Sequence, residues 1–478
     1  MLKRFPTSNW TEAQAGHLLS RAGFGGTPAE IAAFHKLGLE GAVAKAIKGE
    51  EDDDLFPPPA LTQPKEVMEM MQNARSMGDE QEKRKVQQEA RRTQAEEIRN
   101  LRVWWLNRMR YSPNPFREKM TLFWHGHFAT SVEKVRAAYL MWQQNETLRA
   151  NGLGNFHDLV KEVSKDPAMM RYLDTNQSAR QKPNENFARE LMELFTLGEG
   201  VVYTEQDIKE SARAFTGYRI NPMTMSYVFA RRNFDDSEKT FMGRKGPFTG
   251  DDIVDIIVAQ PQSSEFIVKK LWKFFASDKP SDYTIKVLAQ TFRDSGYSIA
   301  ATMKDLFLSD EFYAPATMRS QVKSPVQWLV QTSRVLEAPL PSMNSLENSM
   351  SQMGQVLFRP PNVKGWDGGR AWISSSTLLF RYNLAGYIVS GKAPALDGFR
   401  KQSGSIQIPL AKIAPPETRG DPAKLCDTVA VRLLGAPLQG ESRDRLMNFL
   451  KGHPAPTSDA VLRDFLHLMM STPEYQLT

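Results

Sequence analysis

The chain has 478 residues, and 61 lysines and arginines against 55 acidic residues give it a net charge of +6. This small excess argues against a dedicated nucleic-acid binder, and a composition of 41% hydrophobic and 24% charged residues excludes wholesale disorder. The single cysteine, Cys426, excludes an internal disulfide and a cysteine-based zinc site. At roughly 100–200 residues per domain, the length predicts two to four domains or one large helical body.

The chain begins with a predicted pair of helices within residues 1–49. Thr11 precedes apolar residues at the spacing of one helix face, and Thr27-Pro28-Ala29-Glu30 predicts the cap and first turn of a second helix. The first residues include charges but no apolar core, so the chain as written predicts a cytoplasmic protein, whereas a trimmed exported protein would begin in the same way. No stretch approaches the ~20 apolar residues of a transmembrane helix.

Residues 50–112 form the second predicted region. An acidic, proline-rich spacer (50–64) precedes a stretch (65–111) that predicts two helices with a break near Gly78. The second helix is rich in Gln, Glu, Arg and Lys and carries only a narrow apolar stripe. We interpret it as a solvated helix with i,i+4 ion pairs, and the alternative is a phosphate-binding or partner-binding arm.

The main helical core is predicted at 113–390 and a smaller helical region at 391–478. Strand signals are few, and we expect residues 225–230 to pair with 238–242 in a small hairpin. The predicted fold class is therefore mainly α, with a large multi-helix core, a long charged helix and a C-terminal helical region. Caps and apolar periodicity predict core helices at 132–150, 155–171, 184–197, 205–216, 250–259, 264–276, 282–294, 298–309 and 323–337.

The first candidate for chemistry is the segment Phe123-Trp-His-Gly-His-Phe128, which contains an H-x-H pattern. Two such histidines can chelate a metal ion when the backbone is extended, but on a continuous helix they point about 200° apart. His127 continues the apolar stripe of its helix and His125 does not, so chelation requires the helix to end near Gly126. The alternative is one packed histidine and one capping or surface histidine.

The second candidate is the predicted helix 184–197, which divides into an apolar arc and a polar arc. Glu185, Arg189 and Glu193 form an i, i+4, i+8 ladder in which the arginine can pair with either acid. One interpretation is an amphipathic surface helix with two ion pairs. In the other, the polar face lines a cleft where Glu185 and Glu190 bind a divalent cation or share a proton, and Arg189 orients them.

The third candidate is the loop 359–372, which contains prolines, glycines, two tryptophans, three cations and an aspartate. Loops of this composition bind sugars, aromatic groups or anions, so Trp366, Arg370 and Trp372 are candidate substrate-binding residues. The alternative is a structural loop whose tryptophans fill the core. The chain has no P-loop, G-x-G-x-x-G, H-E-x-x-H, EF-hand or G-x-S-x-G motif, so the usual nucleotide, zinc-protease and α/β-hydrolase assignments lack support.

At these residues the sequence resembles the bacterial family catalogued as domain of unknown function 1800 (DUF1800). The resemblance implies little about activity, because the mechanism of the family is uncharacterised. It implies that related proteins are often exported and often encoded beside a second family related to alkaline phosphatases and sulfatases, which suggests a partner or a shared pathway. The matching stretches run across nearly the whole chain: 17–25, 123–128, 166–169, 184–198, 212–217 and 360–372.

We therefore expect the three candidate segments to meet at one cleft. The predicted function is a hydrolase-like enzyme, metal- or acid/base-dependent, that acts on a polar, glycan-like small molecule. Its catalytic residues are His125, His127, Glu185, Arg189 and Glu190, and in the metal-dependent version His125, His127 and Glu190 are ligands of a divalent metal ion. The alternative is a non-catalytic helical accessory or scaffold protein that works with a partner of the alkaline phosphatase or sulfatase type.

Overall fold

The protein is described by a computed structural model that covers residues 1–50, 55–76, 79–200, 202–390 and 406–478. Within these ranges the chain forms 23 α-helices and two small antiparallel hairpins, which confirms the predicted mainly α fold. None of the helices in the described ranges combines the length and the apolar character needed to cross a bilayer.

Side-chain caps define the first helices of the chain. Thr11 and Thr27 each form a capping box, with Gln14 and Glu30 respectively, and these bonds satisfy backbone N–H groups of the first turn. Both predicted helices are therefore confirmed at their starts. The bounds of the three N-terminal helices are α1 Glu12–Ala22, α2 Pro28–Lys36 and α3 Gly38–Lys48.

Two further helices follow, α4 Pro64–Ser76 and α5 Glu80–Tyr111. The predicted break near Gly78 lies outside the described residues. The first half of α5 is mostly exposed, as expected for a solvated helix, whereas Leu101 and Trp105 in its second half are fully buried. The narrow apolar stripe is therefore the face by which α5 packs on the core.

The next part of the chain contains shorter helices than the sequence predicts. The single helices predicted at 132–150 and 155–171 are wrong, because each is divided in two. Arg136 adopts φ 53°, a left-handed conformation that ends one helix, and Asp166 caps a new helix that starts with a proline. The bounds are α6 Pro115–His127, α7 Val132–Val135, α8 Ala138–Asn151, α9 Phe156–Lys165, α10 Pro167–Tyr172, α11 Glu185–Glu190 and α12 Glu205–Ala214.

The strands form two local hairpins. The predicted pairing of 225–230 with 238–242 is wrong, because each of these segments pairs with a nearer stretch of chain. Closing a shorter loop costs less conformational entropy, and Gly243 supplies the positive φ of 77° that the tighter turn requires. The pairs are β1 Tyr218–Ile220 with β2 Tyr227–Phe229, and β3 Lys239–Phe241 with β4 Arg244–Gly246.

The remaining described chain is helical. The predicted helices between 250 and 337 are confirmed to within three residues at each end. Residues 391–405, where the predicted C-terminal region starts, lie outside the described residues, and the division into four regions stays a prediction. The bounds are α13 Gly250–Val258, α14 Pro261–Phe275, α15 Asp282–Asp294, α16 Ile299–Phe307, α17 Pro325–Val335, α18 Met343–Met353, α19 Ser375–Ser390, α20 Leu410–Ile413, α21 Pro422–Leu434, α22 Gly440–Lys451 and α23 Asp459–Met470.

The buried apolar side chains form two clusters with α6 between them. The first cluster gathers α1–α3 and α9–α16, and the second gathers α5 and α17–α23. Phe123 and Trp124 of α6 belong to the first cluster, and Leu122 belongs to the second. Opposite faces of α6 are therefore covered by different parts of the protein.

A buried ion pair holds α6 in this position. Glu118 is fully buried and accepts hydrogen bonds from Arg108 of α5 at 3.0 Å and from Arg149 of α8 at 2.7 Å. Burial alone would raise the pKa of Glu118, but the two guanidinium groups hold it below its usual value. Since a buried charge that loses its partner is costly, these bonds fix α6 between α5 and α8.

Candidate functional site

The two histidines of the H-x-H segment lie on one continuous helix. α6 runs through Gly126 and ends at His127, so the helix break that chelation requires does not occur. Two residues apart on a helix correspond to about 200°, and the two imidazoles therefore point to opposite sides of α6. Both rings are buried, with 1% of His125 and 6% of His127 exposed.

His127 is bonded at both ring nitrogens. Its Nε2 lies 2.9 Å from the Phe195 carbonyl oxygen, and its Nδ1 lies 3.2 Å from the Lys270 ammonium nitrogen. Because a carbonyl can only accept and an ammonium can only donate, Nε2 carries the proton and Nδ1 accepts. Burial and the Lys270 charge lower the pKa of His127 well below its ordinary value, so the ring is neutral.

These bonds support an unusual stretch of helix. The helix predicted at 184–197 is α-helical only as far as Glu190 and continues as a π-helix over Leu191–Thr196. The last carbonyls of a helix have no partner within it. Here His127 donates to the Phe195 carbonyl, and Lys270 donates to the Leu194 carbonyl at 2.9 Å. The imidazole on this side of α6 therefore fixes the end of the π-helix.

His125 supports a different segment. Its Nε2 accepts the backbone N–H of Phe358 at 3.0 Å, and burial lowers the pKa of the ring to about 3. Phe358 is a buried residue with φ 62°, and its carbonyl accepts the N–H of Val132 at 2.9 Å. The imidazole on this side of α6 therefore fixes the residue that leads into the loop 359–372, at a backbone conformation that is costly for a side chain of this size.

The loop 359–372 lies directly against α6. Gly365 has φ 80°, and a Cβ at this position would collide with the carbonyl oxygen of Gly126. The ring of Trp366 packs against His125 with centroids 5.7 Å apart. Only glycine allows this approach, so the close contact of loop and helix explains why residue 365 is a glycine.

The same loop reaches the polar face of α11. Lys364 forms an ion pair of 2.6 Å with Glu199 and lies within electrostatic range of Glu190 and Glu193. We call Glu190, Glu193 and Glu199, together with Arg189 and Lys364, the carboxylate cluster. Partial burial and the neighbouring Glu193 raise the pKa of Glu190 above its ordinary value, although Lys364 and Arg189 oppose the increase.

Arg189 holds the outer side of the cluster. It forms two bonds with Glu205, at 2.8 and 2.9 Å, and longer ones with Glu193 at 3.3 Å and Glu185 at 3.5 Å. Its bonds to Glu205 raise the pKa of Arg189 further above its usual value. The predicted ladder therefore forms, but its strongest contact is with Glu205, which comes from the N-terminus of α12.

The structure thus brings the three predicted segments together, with α6 in the middle. His125 and His127 lie on opposite sides of that helix, and the side chains present do not fit a metal ion bound by both. Among the described residues, no group of three or more His, Cys, Asp or Glu side chains has the geometry to hold a metal ion. Trp372 is buried, whereas Trp366 is half-buried and Arg370 is exposed.

Sequence reasoning missed three contributors to this region. Glu193 was considered only as a partner of Arg189, yet it is the neighbouring charge that raises the pKa of Glu190. Lys364 was one of three loop cations without a distinguishing signal. Lys270 interrupts an apolar stretch of α14, and such a cation on a buried face is the one signal that pointed to a buried partner.

Comparison with known proteins identifies a family over most of this length. A family model described as "Protein of unknown function (DUF1800)" matches residues 17–477, a range that includes α6, the carboxylate cluster and the loop 359–372. No curated protein and no solved structure matches the chain. The family match confirms the resemblance seen in the sequence, and its description assigns no chemistry.

Proposed function

This chain belongs to the DUF1800 family of proteins of unknown function, and on that premise we propose that the carboxylate cluster is the acid/base centre of a hydrolase-like enzyme. The observation that carries the proposal is the raised pKa of Glu190, a half-buried carboxyl group beside a second carboxyl group. A carboxyl group that keeps its proton nearer to neutral pH is suited to act as a general acid.

The proposed reaction uses the two carboxyl groups in different protonation states. Protonated Glu190 gives its proton to the oxygen of the leaving group, and ionised Glu193 takes a proton from the attacking water. The bond to the leaving oxygen breaks as the water oxygen forms its new bond, so one product gains a hydrogen and the other a hydroxyl group. A protonated and an ionised carboxyl group acting together are the usual apparatus for cleaving glycosidic bonds, which favours a polar, glycan-like substrate.

The other predicted residues take supporting roles in this proposal. Arg189 orients Glu193, and His125 and His127 are positioning residues, because their ring nitrogens bond to the backbone and to Lys270. Trp366 and Arg370 are the proposed contacts for substrate, by stacking and by forked hydrogen bonds. No step is assigned to a metal ion, since the imidazoles do not converge.

The second candidate function is a helical accessory protein without catalysis. The observation in its favour is that both imidazoles and the Glu118 carboxylate are buried and bonded, which is how polar groups that only stabilise a fold behave. The two proposals differ at Glu190, which donates a proton in the first and has no chemical role in the second.

A hydrolase screen of the purified full chain tests the proposal, with nitrophenyl glycosides and reducing-end release from polysaccharides as readouts. For any substrate that is cleaved, we expect Glu190→Gln to lower kcat by about 10²–10⁴-fold, because glutamine keeps the shape but cannot supply the proton. In the wild type, kcat should fall as the pH rises through the pKa of Glu190, since the acid must be protonated.

Glu185, which the sequence predicts as catalytic, has no acid/base role in this proposal, because its contact is the longer ion pair with Arg189. Glu185→Gln is therefore the matched control on the same helix. Its effect should be within a few fold, in line with the small energies of exposed ion pairs. An activity that survives in Glu190→Gln, or no cleavage by the wild type across the screen, would contradict the acid/base proposal and favour the accessory protein.

A further inference from the structure

A concave region borders the start of the loop 359–372. It is a groove of about 810 Å³ between α4, α5, α7 and the start of that loop. We call it the arginine groove. Its volume falls within the range of about 300–1,000 Å³ that small-molecule pockets occupy. None of the residues of the carboxylate cluster lines it, so it is a separate feature of the protein.

One part of the groove wall is apolar. Helices α4 and α5 both contribute hydrocarbon side chains to this wall, and α7 contributes one more. Apolar surface of this kind stabilises a bound hydrocarbon chain in proportion to the area removed from water. The apolar side chains are Val67, Met70, Val86, Ala90, Ile98 and Val132.

The other part of the wall carries an excess of positive charge. Among the described residues, five arginines and two glutamates line the groove. One of the glutamates, Glu347, already pairs with two of these arginines, at 2.5 Å from Arg102 and 3.4 Å from Arg99. The other, Glu133, lies 4.0 Å from Arg359. The carboxylates therefore do not balance the guanidinium groups.

The arginines are close enough to destabilise one another. Arg102 is 4% exposed, and its pKa is lowered to about 10 by burial first, with Glu347 opposing and Arg359 and Arg99 adding to the decrease. A guanidinium with this pKa still keeps its proton at neutral pH. An added negative charge beside these arginines would favour their charged state, and a bound anion would supply it.

We propose that the arginine groove binds an amphipathic anion, a small molecule with an unbranched apolar tail and a carboxylate or phosphate head. The tail lies along the apolar wall between α4 and α5, and the head lies at Arg359 and Arg99. A polar substrate without a tail would leave the apolar wall in water, and a neutral lipid would leave the excess positive charge unbalanced. The charge excess on an apolar surface selects a ligand that has both features.

Calorimetric titration of the full chain tests this assignment. The ligands are dodecanoate and dodecyl phosphate, each below its micelle concentration, and they distinguish a carboxylate from a phosphate head. Dodecanol supplies the tail without the charge, and acetate and inorganic phosphate supply the charge without the tail. We expect saturable one-to-one binding of at least one amphiphile and none of the three partial ligands.

Two variants locate the binding to the groove. Arg359→Gln should lower the affinity for the amphiphile about tenfold, the loss expected for one charge-assisted hydrogen bond. Ala90→Trp should abolish binding, because Ala90 is half-buried in the apolar wall and a larger side chain fills it. Arg92→Gln is the matched control, since Arg92 lies on the same helix, is exposed and does not line the groove.

Several outcomes would overturn the assignment. Equal affinity of wild type and Arg359→Gln would show that the head is not held by the groove, and equal affinity for dodecanol would show that charge plays no part. Binding of polyglutamate without binding of either amphiphile would replace the small molecule by an acidic peptide. Retained binding in Arg92→Gln together with loss in the other two variants supports the proposal.

Discussion

The carboxylate cluster and the arginine groove are opposite cases of one physical situation. Both adjoin the loop 359–372, with Lys364 at the first and Arg359 at the second. In each, burial and a neighbouring like charge disfavour the ionised state: the pKa of Glu190 rises and the pKa of Arg102 falls. The same cause therefore acts on groups of opposite sign.

The two regions differ in how the disfavoured charge can be neutralised. The ordinary pKa of a glutamate is near 4.3. An increase brings this pKa closer to neutral pH, so the carboxyl group can become neutral by binding a proton. Arg102, with a pKa of about 10, remains charged near neutral pH, so its charge is balanced by a counter-ion and not by loss of its proton. The first region is therefore suited to proton transfer and the second to binding.

The largest effect is expected from a substitution that displaces the loop 359–372, which the two regions share, from α6. Gly365→Ala would place a methyl group against the Gly126 carbonyl at a positive φ, so we expect a loss of about 3 kcal/mol or more in the free energy of unfolding. Gly354→Ala is the control: Gly354 also has a left-handed conformation but has no atom within 4 Å of the added Cβ. Its cost should be about 1–2 kcal/mol.

Urea unfolding of the two variants measures this difference. If Gly365→Ala cost no more than Gly354→Ala, the loop would not be pinned to α6. The carboxylate cluster and the arginine groove could then not be treated as two sides of one fixed element.

A smaller effect concerns the pH dependence of His125, which fixes the groove end of the loop. Its folded-state pKa of about 3 lies below the unfolded value, so the unfolded chain takes up a proton first as the pH falls below about 6.5. His125 therefore contributes to a loss of stability between about pH 6.5 and pH 3. His125→Gln keeps an acceptor for the Phe358 N–H and should reduce the slope by up to about 1.4 kcal/mol per pH unit.

Urea midpoints between about pH 7 and pH 4 report this slope. His453→Gln is the control, because it removes an exposed histidine of the α22–α23 turn that packs on Phe449 instead of Phe358. Equal slopes for His125→Gln and the wild type would mean that His125 is not held neutral by burial.

The smallest effect concerns the charges around Glu190. Glu193→Gln removes a like charge and should lower the pKa of Glu190, whereas Lys364→Met removes an opposite charge and should raise it. Carboxyl ¹³C NMR titration measures both shifts. Lys412→Met is the control, since Lys412 pairs with Glu337 instead. Two shifts in the same direction would contradict the assignment of Glu190 to this cluster.

Much of the fold followed from short-range signals. Thr11 and Thr27 cap helices where the sequence predicts them, because a cap bonds to an amide two or three residues away. The break at Arg136 carries no comparable signal, since nothing about arginine favours a left-handed conformation. The sequence therefore predicts one continuous helix over 132–150.

The sequence by itself determined which residue types occupy the candidate site and on which helices and loops they lie, since those depend on periodicity and capping. Only the tertiary structure decided what the residues do. His125 and His127 are two positions apart, yet one bonds to Phe358 and the other to Phe195. The pKa of Glu190 depends on its burial and on charges that include Lys364, 174 positions away. Such interactions act across space, so no local pattern in the sequence contains them.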